Sequence, residues 1–280
     1  MSIRPPFPGA GDAAAAAAAG IAFESLAGPL AEAVEAAGAL ALSLFGAGVK
    51  SWTKGNNSPV TEADLAVDRL LFERLSAIDP GFGWLSEESA DSPARLDARR
   101  LWVVDPIDGT RGFMAGSADW AVSAALVEDG VPVLAALFAP VSAELFLARS
   151  GGGATQNGLG LAIADREALS GASAPGPAPS VDRLAHAADV VRLPRSRSLA
   201  LRLARVATGE IDIAISGDAA NDWDLAAAHL IVREAGGALT SFSGAPVRYN
   251  APSPRHPPLL CAGHALHAKA LAVLRSDSQA

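Results

Sequence analysis

The stretch Leu101-Trp102-Val103-Val104-Asp105-Pro106-Ile107-Asp108-Gly109-Thr110 sets how the rest of the chain reads. Four consecutive apolar residues fit a buried strand. The run then ends in turn chemistry. Two acids stand three residues apart across Pro106-Ile107. The proline removes a backbone donor and stiffens the turn, while the Ile107 carbonyl is free to act as a further oxygen ligand. Gly109 allows close backbone approach, and amides at the start of a following helical turn point toward an anion. The Thr110 hydroxyl can hydrogen-bond a water. Two acids, Pro, Gly and Thr in six residues make a poor surface turn but suit a hard divalent cation beside a phosphate.

Upstream, Leu26, Leu30, Val34, Leu40 and Leu44 recur at roughly helical spacing, so 23–45 reads as an amphipathic helix. Lys54-Gly55-Asn56-Asn57-Ser58-Pro59 is a turn. Thr61 then caps a second helix that runs to about Ile78. A short strand, Gly83-Trp84-Leu85, leads into Ser86-Glu87-Glu88-Ser89. Downstream, strands are expected near 120–128, 132–139 and 144–148. Residues 150–180, rich in Gly, Ala, Ser and Pro, read as a boundary or loop. Beyond them come a strand near 189–192, a helix Ser198–Ala207, a strand Ile211–Ile215 and a helix Trp223–Ala235. Strands Ala238–Phe242 and Leu259–Ala262 and a helix Ala265–Leu274 complete the chain. The elements alternate without the regularity of a Rossmann or TIM pattern, which places the chain in a layered α/β or α+β class. The expected division is a disordered leader over 1–20, an α+β part over 21–150 carrying most of the acids, and an α/β part over 151–280 that supplies Asp224.

Composition narrows the function. Half of the 280 residues are hydrophobic and 19% are charged, which excludes a disordered chain. Thirty acids against 22 bases give a net charge of −8, which repels nucleic-acid polymers and anionic membranes. The single cysteine, Cys261, allows no internal disulfide and fits a reducing compartment. Glu24, Glu32 and Glu35 interrupt the apolar stretch near the start. Prolines precede the alanine run 13–19, so a cytoplasmic protein is expected.

Four acids fall where elements end or begin: Glu87, Asp105, Asp108 and Asp224. Like charges about 4 Å apart repel by roughly 4 kcal/mol at an effective dielectric near 20, and divalent cations relieve this. Those four acids give −4, a phosphate monoester about −2, and three divalent cations +6. Asp64 is placed to accept a proton from Thr110. Taken singly, Asp64, Glu87-Glu88 and Asp224 are also what a helix start uses as capping acids.

Val104–Thr110, Ser86–Ser89, Pro59–Asp64, Trp223–Ala227 and Glu234–Gly237 together resemble the inositol monophosphatase superfamily, in order and spacing, over residues ~25–275. That resemblance implies a layered α-β-α-β-α fold and a Mg²⁺-dependent, lithium-sensitive phosphomonoesterase, often homodimeric, acting on a small phosphorylated metabolite. It implies two to three Mg²⁺ ions, with Mn²⁺ able to substitute. Glu87, Asp105 and the Ile107 carbonyl would hold the first, and Asp105, Asp108 and Asp224 the second. Glu87 would reach a third through water. Asp64, Glu87 and Thr110 would serve catalysis, and the Gly109 and Thr110 amides would hold the phosphate. Arg111 after Thr110, and the segment Gly244–Asn250, look most like the 3′(2′),5′-bisphosphate nucleotidase branch. Gly217 stands where the inositol branch often has a ring-binding Glu. The expected substrate is adenosine 3′,5′-bisphosphate. Inositol monophosphate is second, and histidinol phosphate is also in play. A non-catalytic cation-binding protein on the same fold would be expected to lack at least one of Asp64, Glu87, Asp105, Asp108, Thr110 and Asp224; all are present. His229, Cys261 and Trp223 read as packing residues.

Overall fold

The computed structural model describes residues 23–46, 50–53, 59–163 and 166–275. The leader expected over 1–20 and the turn Lys54–Ser58 lie outside them. Helix α1 (Phe23–Leu44) and helix α2 (Glu62–Ser76) flank a small hairpin of β1 (Ser51–Thr53) and β2 (Pro59–Thr61). Strands β3 (Gly83–Ser86) and β4 (Arg100–Asp108) pair in parallel. A short helix, α3 (Thr110–Met114), follows β4. Then β5 (Ala121–Glu128), β6 (Val131–Ala139), β7 (Glu144–Arg149), β8 (Gly153–Gln156) and β9 (Leu159–Gly160) extend the sheet antiparallel. The seven strands lie in chain order, β3 through β9.

The second half begins with β10 (Ser173–Ala174), α4 (Ala178–Ala188) and β11 (Val191–Arg192). Next come α5 (Leu199–Ala207), β12 (Ile213–Ile215), α6 (Asp222–Glu234), β13 (Gly237–Ser241), β14 (Leu259–Gly263) and α7 (His264–Arg275). Strands β12, β14 and β13 form a three-stranded antiparallel sheet in that order.

The strand periodicity sorts the core into layers. On β4, Trp102 and Val104 join Leu30, Val34, Val67 and Leu71 of α1 and α2 on one face. Leu101 and Val103 join Leu203, Leu230 and Ile231 of α5 and α6 on the other. On β14, Leu259 and Cys261 face that same helical layer, while Leu260 and Ala262 face Leu184, Leu266 and Leu274 of α4 and α7. The order is therefore helix, sheet, helix, sheet, helix. Both faces of each sheet are covered, so β4 reads in sequence as an unbroken apolar run. Burying a Leu or Val here contributes about 1.5–3 kcal/mol.

Helix α1 is long and apolar enough to cross a membrane by length and composition alone. Here Leu30, Val34, Ala37 and Ala41 are fully buried against α2 and the large sheet.

The structure corrects two readings. Residues 150–180 are not a plain loop. They hold β8 and β9, which complete the large sheet, then β10 and the start of α4. Prolines 175, 177 and 179 concealed that helix, yet Pro177 precedes it and Pro179 sits in its first turn, where a missing N–H costs nothing. Strand β4 does not stop at Val104 but runs through Asp108.

Candidate active site

A bulge brings the two acids of β4 together. Pairing with β5 is regular down to Asp105 opposite Ser123, then shifts so that Asp108 lies opposite Ala121. Three steps on β4 thus match two on β5, one residue extra. In a regular strand, residues three apart point to opposite faces; the extra residue turns both toward one mouth. Pro106 sits in the bulge, where no ladder donor is needed. Asp105 Oδ1 accepts the Ile107 N–H at 3.0 Å and holds the bend. Gly109 follows with φ 95°, and a Cβ there would stand 2.7 Å from the Asp119 carbonyl oxygen and 3.2 Å from the Ser198 nitrogen. Only glycine lets β4 turn into α3 while α5 presses against it.

The remaining acids arrive on helix starts. Asp64 Oδ2 accepts the Thr61 N–H at 2.7 Å and the Thr61 hydroxyl at 2.5 Å, a capping box at the head of α2. Its other oxygen, Oδ1, accepts the Thr110 hydroxyl at 3.2 Å. Asp224 repeats the pattern on α6, with Oδ2 accepting the Asn221 N–H at 2.6 Å. Capping and site roles therefore share one carboxylate, one oxygen serving each at Asp64. Thr110 Oγ1 also lies 3.1 Å from the Ile107 carbonyl.

Oxygen atoms of Asp105, Asp108 and Asp224 all lie within 4.8 Å of one another. Glu87 lines the same cleft of about 360 Å³, with Gly109, Thr110 and Arg111. Asp105 and Asp108 are almost wholly buried. Burial, then the charges of Glu87, Asp108, Asp224 and Asp64, hold the Asp105 carboxyl well above its ordinary range. Burial pushes Asp108 up to about 6, against opposing hydrogen bonds from Ser198 and the α5 amides. Burial and the charge of Asp108 push Asp224 up to about 7. Three close carboxyls, two buried and one half-buried, whose charges oppose one another's ionisation and which are all oxygen donors, fit a hard divalent cation.

Sequence reading missed the groups that hold this constellation. Asp108 Oδ2 accepts both the Ser198 hydroxyl and the Ala200 N–H, the latter at 2.7 Å, so the first turn of α5 fixes it. Asp68, one turn after Asp64 on α2, accepts the hydroxyls of Ser86 at 2.5 Å and Ser89 at 2.7 Å. It ties down the turn that carries Glu87. Arg195, Ser196 and Arg197 line the same cleft as the acids. Their signal was the cluster Arg192-Leu193-Pro194-Arg195-Ser196-Arg197, a basic run in an acidic chain. Arg202 is 2% exposed; burial first, and then the charge of Arg195, bring its guanidinium down to about 10.

The expected packing residues behave as such. His229 lies 2.9 Å from the Tyr249 hydroxyl and burial lowers it to about 3, so it stays neutral. Trp223 packs against the central core, and Cys261 is buried with its thiol pushed up by desolvation.

Comparison with known proteins gives a consistent picture. A family model described as the inositol monophosphatase family matches residues 22–279. An inositol-1-monophosphatase of Rhizobium meliloti (strain 1021) is 37% identical over 201 residues, 68% of this chain and 75% of that protein. A 3′(2′),5′-bisphosphate nucleotidase CysQ of Aggregatibacter actinomycetemcomitans is 32% identical over 209 residues, 70% of this chain and 77% of that protein. Among solved structures, an inositol monophosphatase from Anabaena (Nostoc) sp. PCC 7120 superposes with a TM-score of 0.77. It is 26% identical and covers 90% of this chain and 96% of its own.

Proposed function

The chain belongs to the inositol monophosphatase family of metal-dependent phosphatases, and on that premise we propose that it hydrolyses a small phosphate monoester with Mg²⁺. The observation that carries this is the convergence of Asp105, Asp108 and Asp224 within 4.8 Å, beside a Thr110–Asp64 pair.

On this reading Glu87, Asp105, the Ile107 carbonyl, Asp108 and Asp224 hold the cations. Divalent ions held there would supply polarisation of the phosphoryl oxygens, a more acidic water and charge stabilisation for the leaving alkoxide. The protein's own groups do the rest. Thr110 donates its hydroxyl proton toward Asp64 and leaves its lone pairs for a water. As that water attacks phosphorus, its proton passes to Thr110 Oγ1 and the hydroxyl's original proton moves to Asp64. Burial holds the Asp64 carboxyl above its ordinary range, which makes it a better base than an exposed aspartate. The phosphorus–oxygen bond to the alcohol breaks, and the alkoxide leaves with a proton from solvent. Gly109 and Thr110, at the start of α3, offer amides to the phosphate.

The substrate we favour is adenosine 3′,5′-bisphosphate, cleaved to AMP and phosphate, because Arg111 lines the cleft beside the acids and a guanidinium suits a second phosphate. Inositol monophosphate is the second reading, favoured by the 37% identity to an enzyme of that name. Phosphate release with Mg²⁺ from adenosine 3′,5′-bisphosphate, inositol 1-phosphate, histidinol phosphate and fructose 1,6-bisphosphate tests both. A preference of about ten-fold or more, ~1.4 kcal/mol in transition-state binding, identifies the branch. No release from any of them contradicts the phosphatase assignment.

A further inference from the structure

The acids of the cleft are not held alike. Asp105 and Asp108 share β4, inside the large sheet, so the strand ladder sets their spacing. Glu87 follows β3, a four-residue strand at the edge of that sheet, and Asp224 stands in the first turn of α6, in the other half of the chain. The charges of both oppose that of Asp105. Like charge therefore pushes these outer acids away from the pair on β4, and something must hold them.

A set of hydrogen bonds connects the two, and none of its members lines the cleft. It starts four residues beyond Glu87. Asp91 accepts Arg95 Nε at 2.6 Å and Nη2 at 3.0 Å, a two-pronged ion pair. Arg95 is 3% exposed, in the single turn Pro93–Asp97. Its Nη1 donates to Asn250 Oδ1 at 2.8 Å and to the Ala251 carbonyl at 3.0 Å, and its own carbonyl accepts Asn250 Nδ2 at 2.9 Å. The Asn250 N–H donates to Asp222 Oδ2 at 2.8 Å, and His256 Nε2 lies 2.6 Å from Asp222 Oδ1. Asp222 is buried and opens α6, two residues before Asp224. Its N–H donates to the Pro254 carbonyl, and the His256 N–H donates to the Ala220 carbonyl, both at 2.8 Å. Residues 250–256 thus clasp the helix start.

Two features go beyond ordinary loop packing. A guanidinium this deeply buried carries a desolvation penalty that only good partners offset. Asn250 holds φ 60°, left-handed backbone that asparagine tolerates better than most residues. Glycine would suit that backbone equally; what it lacks is the amide, which supplies both the acceptor and the donor that Arg95 meets. Asp68 holds Ser86 and Ser89, and Arg95 holds Asp91, so the turn that carries Glu87 is fastened on both sides of it.

We propose that Arg95 and Asn250 are positioning residues: through Asp91 on one side and the Asp222–His256 pair on the other, they fix the Glu87 turn against the head of α6 and so set the spacing of the outer cation ligands. The inference rests on the cation-dependent phosphatase reading and adds to it residues outside the cleft.

The test titrates Mn²⁺ calorimetrically into the metal-free full chain, with the metal-free Tm measured beside it. Asn250→Gly keeps the left-handed backbone and deletes only the amide. It should weaken Mn²⁺ binding about ten-fold or more, as when a group that supports metal ligands is lost, while the metal-free Tm moves only slightly. Asn250→Asp keeps the acceptor that faces Arg95 and should recover part of the affinity. Arg95→Met should match Asn250→Gly, and the double variant should lose little more than either alone, as for two residues that act through one contact. His256→Ala against His256→Gln, which keeps a side-chain N–H donor, reads the link from the α6 end and serves if Arg95→Met does not fold. Wild-type Mn²⁺ affinity in Asn250→Gly and His256→Ala, with or without a lower metal-free Tm, overturns the inference and leaves the phosphatase reading intact, because the network then only holds the fold. A double variant whose loss is the product of the single losses also overturns it. A wild-type protein that binds no Mn²⁺ removes the cation reading and the inference together.

Discussion

Asp105→Asn probes the account where it is most exposed. Asp105 is 1% exposed and lies among carboxyl oxygens no more than 4.8 Å apart. At that separation and an effective dielectric near 20, each ionised pair costs about 3.5 kcal/mol. Burial and these neighbours hold the metal-free Asp105 carboxyl well above its ordinary range and so favour its protonated form. Asparagine has the same shape as a protonated aspartate, and its oxygen can still accept the Ile107 N–H that Asp105 accepts at 3.0 Å. The metal-free variant should therefore unfold within about 1 kcal/mol of wild type, inside the range of a mild substitution. The cation response should differ sharply. A ligand present at about 100 times its Kd stabilises by roughly 2.7 kcal/mol. For a chain of this size that is a Tm rise of about 5–10 °C, at ~2–4 °C per kcal/mol. Wild type should show this rise with Mg²⁺ and the variant should not, while phosphate release falls at least ~10³-fold, as for loss of an essential catalytic group. Thermal scans with and without Mg²⁺, beside a phosphate assay, read both effects. A variant that keeps the Mg²⁺ shift and the activity refutes the assignment; one that unfolds without metal shows that Asp105 is structural.

Other perturbations reach different parts of the site. Asp64→Asn leaves the cation ligands in place and should lower kcat by about 10²–10⁴ with little change in the Mg²⁺ response, read by steady-state kinetics. Asp68→Ala frees the Ser86 and Ser89 hydroxyls; loss of such a supporting contact should weaken apparent Mg²⁺ affinity by about 10–100-fold, whereas an unchanged Mg²⁺ titration would show that the Glu87 turn holds itself. The pH dependence follows from Asp108 near 6 and Asp224 near 7, both above the ordinary aspartate value of 3.8. Between pH 4 and 7 the metal-free folded form keeps protons that the unfolded chain has released. Its stability should therefore fall as pH rises through that window, by up to about 1.4 kcal/mol per unit for each group. Cation binding needs the ionised carboxylates, so Mg²⁺ should remove the fall and activity should climb over the same range; Tm against pH, with and without Mg²⁺, measures it.

The sequence was legible wherever one local rule dominated. The apolar run before Asp105 announced a buried strand, and helices do cover it on both faces. Thr61 and Asp64 announced a helix start, and the capping box is there. What stayed hidden depended on contacts distant in the chain. Nothing local says that Ser198 and Ala200 grip an aspartate 90 and 92 residues away, or that Asp68 holds a turn 18 to 21 residues on. Helix α4 was missed because its prolines look like a loop until one sees them at its N-terminus. The bulge in β4 was read as the strand's end, since a proline between two acids reads as a breaker.

The central claim is that three acids from β4 and the head of α6 bind a divalent cation in one cleft. Anomalous diffraction from a crystal soaked in Mn²⁺ tests it directly. The account predicts a manganese peak coordinated by Asp105, Asp108 and Asp224, lost in Asp105→Asn. A clear map with no peak there, or with the ion bound only elsewhere, would contradict it.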